Sequence, residues 1–414
     1  MMVLRRACFV AFVCAALSLS IEAQRPAADW PQWRGPNRDG AAPLAAPAAW
    51  PEQLSQKWRV TVGDGYATPL VVGNRVYQFS RQGDNEVMTA FDADTGKEVW
   101  KNPGYPAIFE MQSATKQHGP GPKSTPVFSN GRLYTIGMTG VVTAWDAASG
   151  KQVWQHPGDV KNMPMFTSHA FSPLVDRGLV IFHLGGNAGG ALTAFDINTG
   201  AVKWSWKGDG PGYGSPVIAD IGGTRQIITI TQKTLVSVDA ATGAVLWERP
   251  WVSPNQTNSI TPVVYGQTVI VSGNGDPTTE FSVTKKGTQW VVEQAWQNAD
   301  IPMRMTNPVL IGDTLFGMST RNSGQYFAVD AKSGKTLWTS EGRQAGNAAL
   351  ASAPSLLLSL EDDGELVVAK ASQTAFELVK KYKLADSATW TQAAYSGNRI
   401  YVKDVTNLTL WTLN

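Results

Sequence analysis

Ala90-Phe91-Asp92-Ala93-Asp94-Thr95-Gly96-Lys97-Glu98-Val99-Trp100 is the stretch on which the reading of this chain turns. An apolar strand ends at Asp92, whose carboxylate can accept backbone N–H groups two residues on and so start a turn. Thr95 supports that turn, and Gly96 supplies the positive φ that closes it. A returning strand then carries Trp100. The segment reads as a hairpin tip that sets an indole at a fixed distance along the next strand.

The same offsets recur. Ala144-Trp145-Asp146 leads through Ser149-Gly150 to Trp154, and Ala194-Phe195-Asp196 through Thr199-Gly200 to Trp204. Ser237-Val238-Asp239 leads through Thr242-Gly243 to Trp247, and Ala328-Val329-Asp330 through Ser333-Gly334 to Trp338. A second pattern comes before each copy: a small residue, proline, apolar residues, a turn and an apolar pair. It stands at Thr68-Pro69, Thr125-Pro126, Ser172-Pro173, Ser215-Pro216, Thr261-Pro262, Asn307-Pro308 and Ala353-Pro354, and without proline from Tyr395 to Tyr401. Successive prolines are 57, 47, 43, 46, 46 and 46 residues apart. A period in the mid-forties with four strands per unit belongs to propeller blades.

Two units depart from the pattern. One runs from Phe281-Ser282-Val283 to Trp296 with Lys286-Gly287 as its turn; the other, 366–382, lacks the Asp–Gly–Trp set. Counting starts predicts an all-β, eight-bladed propeller of four-stranded antiparallel blades, with seven blades as the alternative if 366–382 is irregular. Eight blades give 45 residues each over 55–414. The C-terminal 399–414 supplies only three strands of its blade. Gln56-Lys57-Trp58-Arg59-Val60 looks like the missing outer strand, and pairing it there removes two open edges.

Composition agrees. Charged residues are only 16% of the 414, whereas 40 Gly, 24 Pro and 16 Trp favour short strands and tight turns. Residues 1–23 read as a signal peptide: Arg5 and Arg6 precede an apolar run too short to span a bilayer, and Ala23 offers the cut. That predicts a periplasmic or secreted protein with no membrane span. Both cysteines, Cys8 and Cys14, fall inside this leader, which leaves no thiolate metal site or haem attachment beyond it. Without the leader the formal charge falls from +2 to +1, and no Lys/Arg run marks a nucleic-acid partner. Residues 24–54 form a Trp/Pro-rich segment before the propeller proper at 55–414, and Trp30 and Trp33 are expected to dock on the propeller wall.

The Ala-x-Asp-x-x-Thr-Gly-x-x-x-Trp pattern resembles the repeat of the pyrroloquinoline quinone (PQQ) propeller superfamily over nearly all of 55–414. In that superfamily each Trp staples adjacent blades, and the resemblance implies a girdle of Trp58, Trp100, Trp154, Trp204, Trp247, Trp296 and Trp338. The superfamily divides into quinoprotein dehydrogenases and non-catalytic propellers such as the outer-membrane assembly factor BamB. Fold alone does not choose between these branches; the site must.

Segments before each proline enter the innermost strands and should converge at one channel mouth. They carry Tyr66, His118, Lys123, His169, Tyr213, Asn258, Arg304, Asn347 and Trp390, the predicted ligand- or partner-binding residues. The longest connection between blades, 101–124, holds Glu110, His118 and Lys123, and long connections often carry function. A quinone oxidoreductase needs oxygen ligands for a divalent cation, a carboxylate base, and cations or rings around the cofactor. Acids are scarce here, with only Asp64, Glu110 and Asp300 near the mouth, and the adjacent cysteine pair of many alcohol-oxidising members is missing. His118 and His169 show no third metal ligand. The expected function is therefore a non-enzymatic scaffold or binding protein without metal or cofactor. Its mouth or rim would take a protein of the cell envelope or a small molecule. A PQQ- and calcium-dependent alcohol or sugar oxidoreductase is the alternative.

Overall fold

The computed structural model describes residues 29–111, 116, 118–164, 166, 168–254 and 257–413. The leader assigned to 1–23 lies outside the described residues. Eight antiparallel sheets follow one another along the chain, each with four strands in sequential order. The first blade comprises Leu70–Val72, Arg75–Gln82, Asn85–Asp92 and Glu98–Lys101, with Tyr105–Pro106 as an added edge piece. The last takes Ala394–Ser396, Arg399–Lys403 and Asn407–Thr412 from the C-terminal side and Ser55–Thr61 as its outer strand. Ser55 pairs with Thr412 and Thr61 with Asn407, so the ring is closed as the sequence indicated.

The seventh blade is complete, which excludes the seven-blade alternative: Ala348–Ala353, Leu356–Glu361, Glu365–Lys370 and Leu378–Lys383 form one sheet. Its register, however, differs from the proline count. In the first six blades the proline immediately precedes the innermost strand, as Pro308 precedes Val309–Ile311. Pro354 instead lies in the turn after Ala353, and Asn347 occupies the entry to the innermost strand. Proline locks φ and is as acceptable in a turn as at a strand start, so the residue type alone does not fix the position.

The hairpin tips form as their residues require. Asp92 Oδ1 accepts from Asp94 N at 3.2 Å, Thr95 N at 3.0 Å and the Thr95 hydroxyl at 2.7 Å. Gly96 then closes the turn with φ +68°. The Trp58 indole lies on this tip and donates to Ala93 O at 3.1 Å. Trp100, Trp154 and Trp296 donate likewise to Ala147, Ile197 and Ala331 of the next blade, and Trp338 to Ser372. Trp247 differs: the fifth blade has no Asp–Gly tip to receive it, and its N–H turns back to Gln226 Oε1 of its own blade at 2.9 Å. The long hairpin of Thr278–Lys286 and Gln289–Asn298 reaches across instead, and Lys285 Nζ donates to Thr224 Oγ1 of the fourth blade at 3.1 Å.

A Cβ on Gly96 would lie 2.7 Å from the Trp58 ring, whereas one on Gly73, also at positive φ (+57°), would meet nothing within 4 Å. Gly73→Ala should therefore cost only backbone strain, about 1 kcal/mol. Gly96→Ala should cost at least about 1 kcal/mol more, because the indole must also be displaced. Equal urea midpoints for the two variants would refute the close approach.

Residues 29–45 hold an unexpected place. Trp30 and Trp33 were expected on the propeller wall; the segment instead threads the central channel and bonds to every blade. Trp30 exchanges backbone hydrogen bonds with Val71 of the first blade, and Phe128 N of the second donates to Pro31 O. Arg38 donates to Pro173 O of the third blade at 2.8 Å and to Pro216 O of the fourth at 3.0 Å. Trp33 Nε1 reaches Thr261 Oγ1 of the fifth at 3.4 Å, and Arg34 donates to Pro308 O of the sixth at 2.5 Å. Ala42 N and Ala45 N donate to Ser352 O and Gly397 O of the seventh and eighth. Trp30 is 0% exposed at the centre of this plug.

Candidate functional site

The residues entering the innermost strands are joined side by side by hydrogen bonds, which accounts for the polar residue before each of the first six prolines. Thr68 N donates to Thr125 Oγ1 at 3.1 Å, Thr125 N to Ser172 Oγ at 3.0 Å, and Ser172 N to Ser215 Oγ at 3.1 Å. Ser215 N continues to Thr261 Oγ1 at 3.1 Å, Thr261 N to Asn307 Oδ1 at 2.6 Å, and Thr306 Oγ1 to Asn347 Oδ1 at 3.0 Å. Gln392 Nε2 bonds Leu350 O at 2.7 Å, and the Thr391 and Thr68 hydroxyls meet at 2.7 Å to complete the circle. This polar girdle surrounds the channel just above the plug.

Above the girdle opens a cavity of about 330 Å³. Seven of the nine predicted residues line it: Tyr66, His118, Lys123, Tyr213, Arg304, Asn347 and Trp390. Two do not, and each is a correction. His169 is 2% exposed, and its ring nitrogens face Met138 O at 3.2 Å and Gly185 O at 3.1 Å. Burial holds its pKa below the usual histidine value. Its neighbour Ala170 reaches the cavity in its place. Asn258 is fully buried, and its amide donates to Thr231 O, Gln232 O and Trp251 O, so it shapes the connection after the fourth blade. His118 and His169 thus make no metal pair. Trp33, Phe166 and the girdle's Ser172 and Ser215 line the cavity without having been predicted.

The lining is aromatic and cationic. Lys123 donates to the carbonyls of His118, Gly119 and Gly121 at 2.6–2.9 Å and lies 5.2 Å from the Tyr66 ring centre. It thereby ties its own loop into a cap beside that ring. Burial draws its pKa down to about 7, against the pull of Asp64 and Glu86. His118 meets the Trp390 ring edge-on at 4.7 Å; burial, with the charges of Lys123 and Arg304, lowers its pKa. Arg304 is exposed to the cavity on a loop anchored by buried Met303, whose N–H donates to Ser272 Oγ at 2.9 Å. No carboxylate lines the cavity among the described residues.

A buried acid acts on Lys123 from behind the wall. Glu86 accepts from Met138 N at 2.7 Å, and burial raises its pKa to about 7 despite that bond. A carboxyl near 7 in the folded state and 4.5 otherwise binds its proton more tightly when folded. Stability from this group is therefore full at low pH and falls as pH rises from about 4.5 through 7. Glu86→Gln should remove that decline, gaining on the order of 2–3 kcal/mol over the parent between pH 5 and 8. Parallel urea midpoints at both pH values would contradict it.

Fold and site together define a PQQ-repeat propeller whose channel is plugged and whose mouth holds a cavity. Residues 48–117 and 83–340 match the family described as outer membrane protein assembly factor BamB, and the chain belongs to that family. It is 24% identical over 303 residues to outer membrane protein assembly factor BamB of Burkholderia pseudomallei (strain K96243), covering 63% of this chain and 75% of that one. The BamB of Yersinia pestis is 27% identical over 175 residues, 39% of this chain and 40% of its own length. A quinohemoprotein alcohol dehydrogenase of Comamonas testosteroni is 29% identical over 143 residues, 34% of this chain but 19% of that enzyme. Among solved structures, BamB from Moraxella catarrhalis superposes with a TM-score of 0.63 at 16% identity, over 87% of this chain and 99% of that one. The quinohemoprotein alcohol dehydrogenase from Comamonas testosteroni gives 0.64 at 14%, over 93% and 80%. At these identities the structural likeness establishes the fold alone.

Proposed function

We propose that this chain is a non-catalytic binding propeller of the cell envelope that works in outer-membrane protein assembly and holds a protein partner on its mouth face or rim. The observation that carries this reading is the closed channel: one segment bonded to all eight blades makes the ring a rigid platform instead of a conduit. The leader-like 1–23 supports a periplasmic or secreted location, and no helix among the described residues is long and apolar enough to cross a membrane. Family membership supports the assembly role.

The cavity's own donors bear on the quinone-dependent alternative. Arg304 and the aromatic rings suit a ring-bearing anion, but among the described lining residues a calcium ion would find only neutral oxygens and a substrate no carboxylate base. The lining does not fit a cation-dependent quinone.

Crosslinking in intact cells followed by purification should recover this chain with the outer-membrane assembly machinery, and its deletion should lower the level of folded outer-membrane barrels. Unchanged barrel levels together with an uncrosslinked chain would overturn the reading. Dye reduction by the purified protein with added quinone and calcium would favour the alternative.

A further inference from the structure

We infer that the mouth cavity is a binding site for an acidic sugar, a hydroxylated ring bearing a carboxylate. This goes beyond the protein-partner reading and does not depend on it. At about 330 Å³ the cavity falls at the small end of the range for small-molecule sites.

Three features select the ligand. The first is charge. Arg304 presents a guanidinium with no ion-pair partner among the described residues, whereas the Lys123 ammonium at the same wall is taken up by three loop carbonyls. Beneath the girdle, Arg34 and Arg38 are 3% and 5% exposed, and their guanidinium groups bond to backbone carbonyls and one Gln side chain, not to a carboxylate. Fixed positive charge therefore underlies a cavity with no acid in its lining, and an anion entering it is attracted from below and from the side.

The second feature is hydrogen-bond polarity. Ser172 and Ser215 each accept a backbone N–H through their hydroxyl oxygen, so each still has its own O–H to donate. Asn347 accepts through Oδ1 and so keeps its Nδ2 hydrogens. With the Arg304 fork, which matches a carboxylate bidentately, the polar lining favours an acceptor-rich ligand. The third is the aromatic share of the lining: Trp33, Tyr66, Tyr213 and Trp390 all border the same space, and aromatic side chains suit the C–H surfaces of a sugar ring. An aromatic acid would use the rings and the arginine but leave the girdle donors unmatched, at a cost to affinity.

Calorimetric titration of the full chain with D-glucuronate, D-glucose and benzoate tests this. D-glucuronate should bind saturably and at least tenfold more tightly than either D-glucose or benzoate. Arg304→Gln should bring D-glucuronate down to the D-glucose level, and Arg304→Lys should keep part of the preference. Because Arg304 is exposed on an anchored loop, both variants should melt like the parent. Equal binding of D-glucuronate and D-glucose, benzoate binding as tight as D-glucuronate, or no saturable binding at all would overturn the assignment. Loss of this preference would leave the crosslinking result untouched, so the two proposals fail separately.

Discussion

Arg38→Met should lower the stability of the ring by about 3 kcal/mol, although the side chain lines neither the mouth cavity nor the outer surface. Its guanidinium serves Ser172 O, Pro173 O, Pro216 O and Gln32 Oε1; the bonds to the three carbonyls are buried, and Gln32 is partly exposed. Methionine fills much of the volume but strands three backbone carbonyls, each costing about 1–3 kcal/mol when left unpaired. Relief from burying a charge without a counter-charge offsets part of that loss, since burial already draws the Arg38 pKa down to about 9. Urea unfolding should show an earlier midpoint with an unchanged slope, while the exposed Lys57→Met should stay within about 0.5 kcal/mol of the parent. A parent-like midpoint for Arg38→Met would mean that the plug leaves the channel in solution.

Trp58→Ala should be as damaging, at about 3–5 kcal/mol, for a different reason. The indole is buried between the Gly96 tip of the first blade and Tyr401 of the last, with ring centres 5.9 Å apart, and it bonds Ala93 O. It therefore packs across the seam between the two ends of the chain. Its removal leaves a void at the junction between the last blade and the first. Limited proteolysis of Trp58→Ala should then cut within or next to Ser55–Thr61 well before the parent is cut there. A fragment pattern identical to the parent's would show that backbone pairing alone holds the seam.

Much of this architecture was legible because it is local and periodic. Asp92, Thr95, Gly96 and Trp100 act on neighbours a few residues away, so a fixed spacing reports a fixed geometry, and the copies are easily compared. The seventh blade's start was misplaced by the same logic. Pro354 falls at the expected interval, but a turn after the first strand suits proline as well as the strand entry does. At the mouth, converging backbone segments were foreseeable and most of the named residues meet there. Whether a particular side chain faces in was not: His169 and Asn258 turn toward carbonyls that come from other connections. The plug was the least visible part. Its arginines bond carbonyls 134–274 residues away in sequence, and charged side chains without acids nearby ordinarily read as surface. The available signal was two arginines set among Trp30, Trp33, Gly35 and Gly40 in a stretch with no periodicity of its own.

Pairing Ser55–Thr61 with Asn407–Thr412 also has a consequence for biogenesis. The earliest strand to emerge has its partner among the last, so nearly the whole polypeptide must be made before that ladder can form. Until then a row of bare amides on Ser55–Thr61 is open to any passing strand, and such distant pairings are slow to find. A holdase that shields this stretch until the last strands arrive would raise yield more than one acting on any middle repeat.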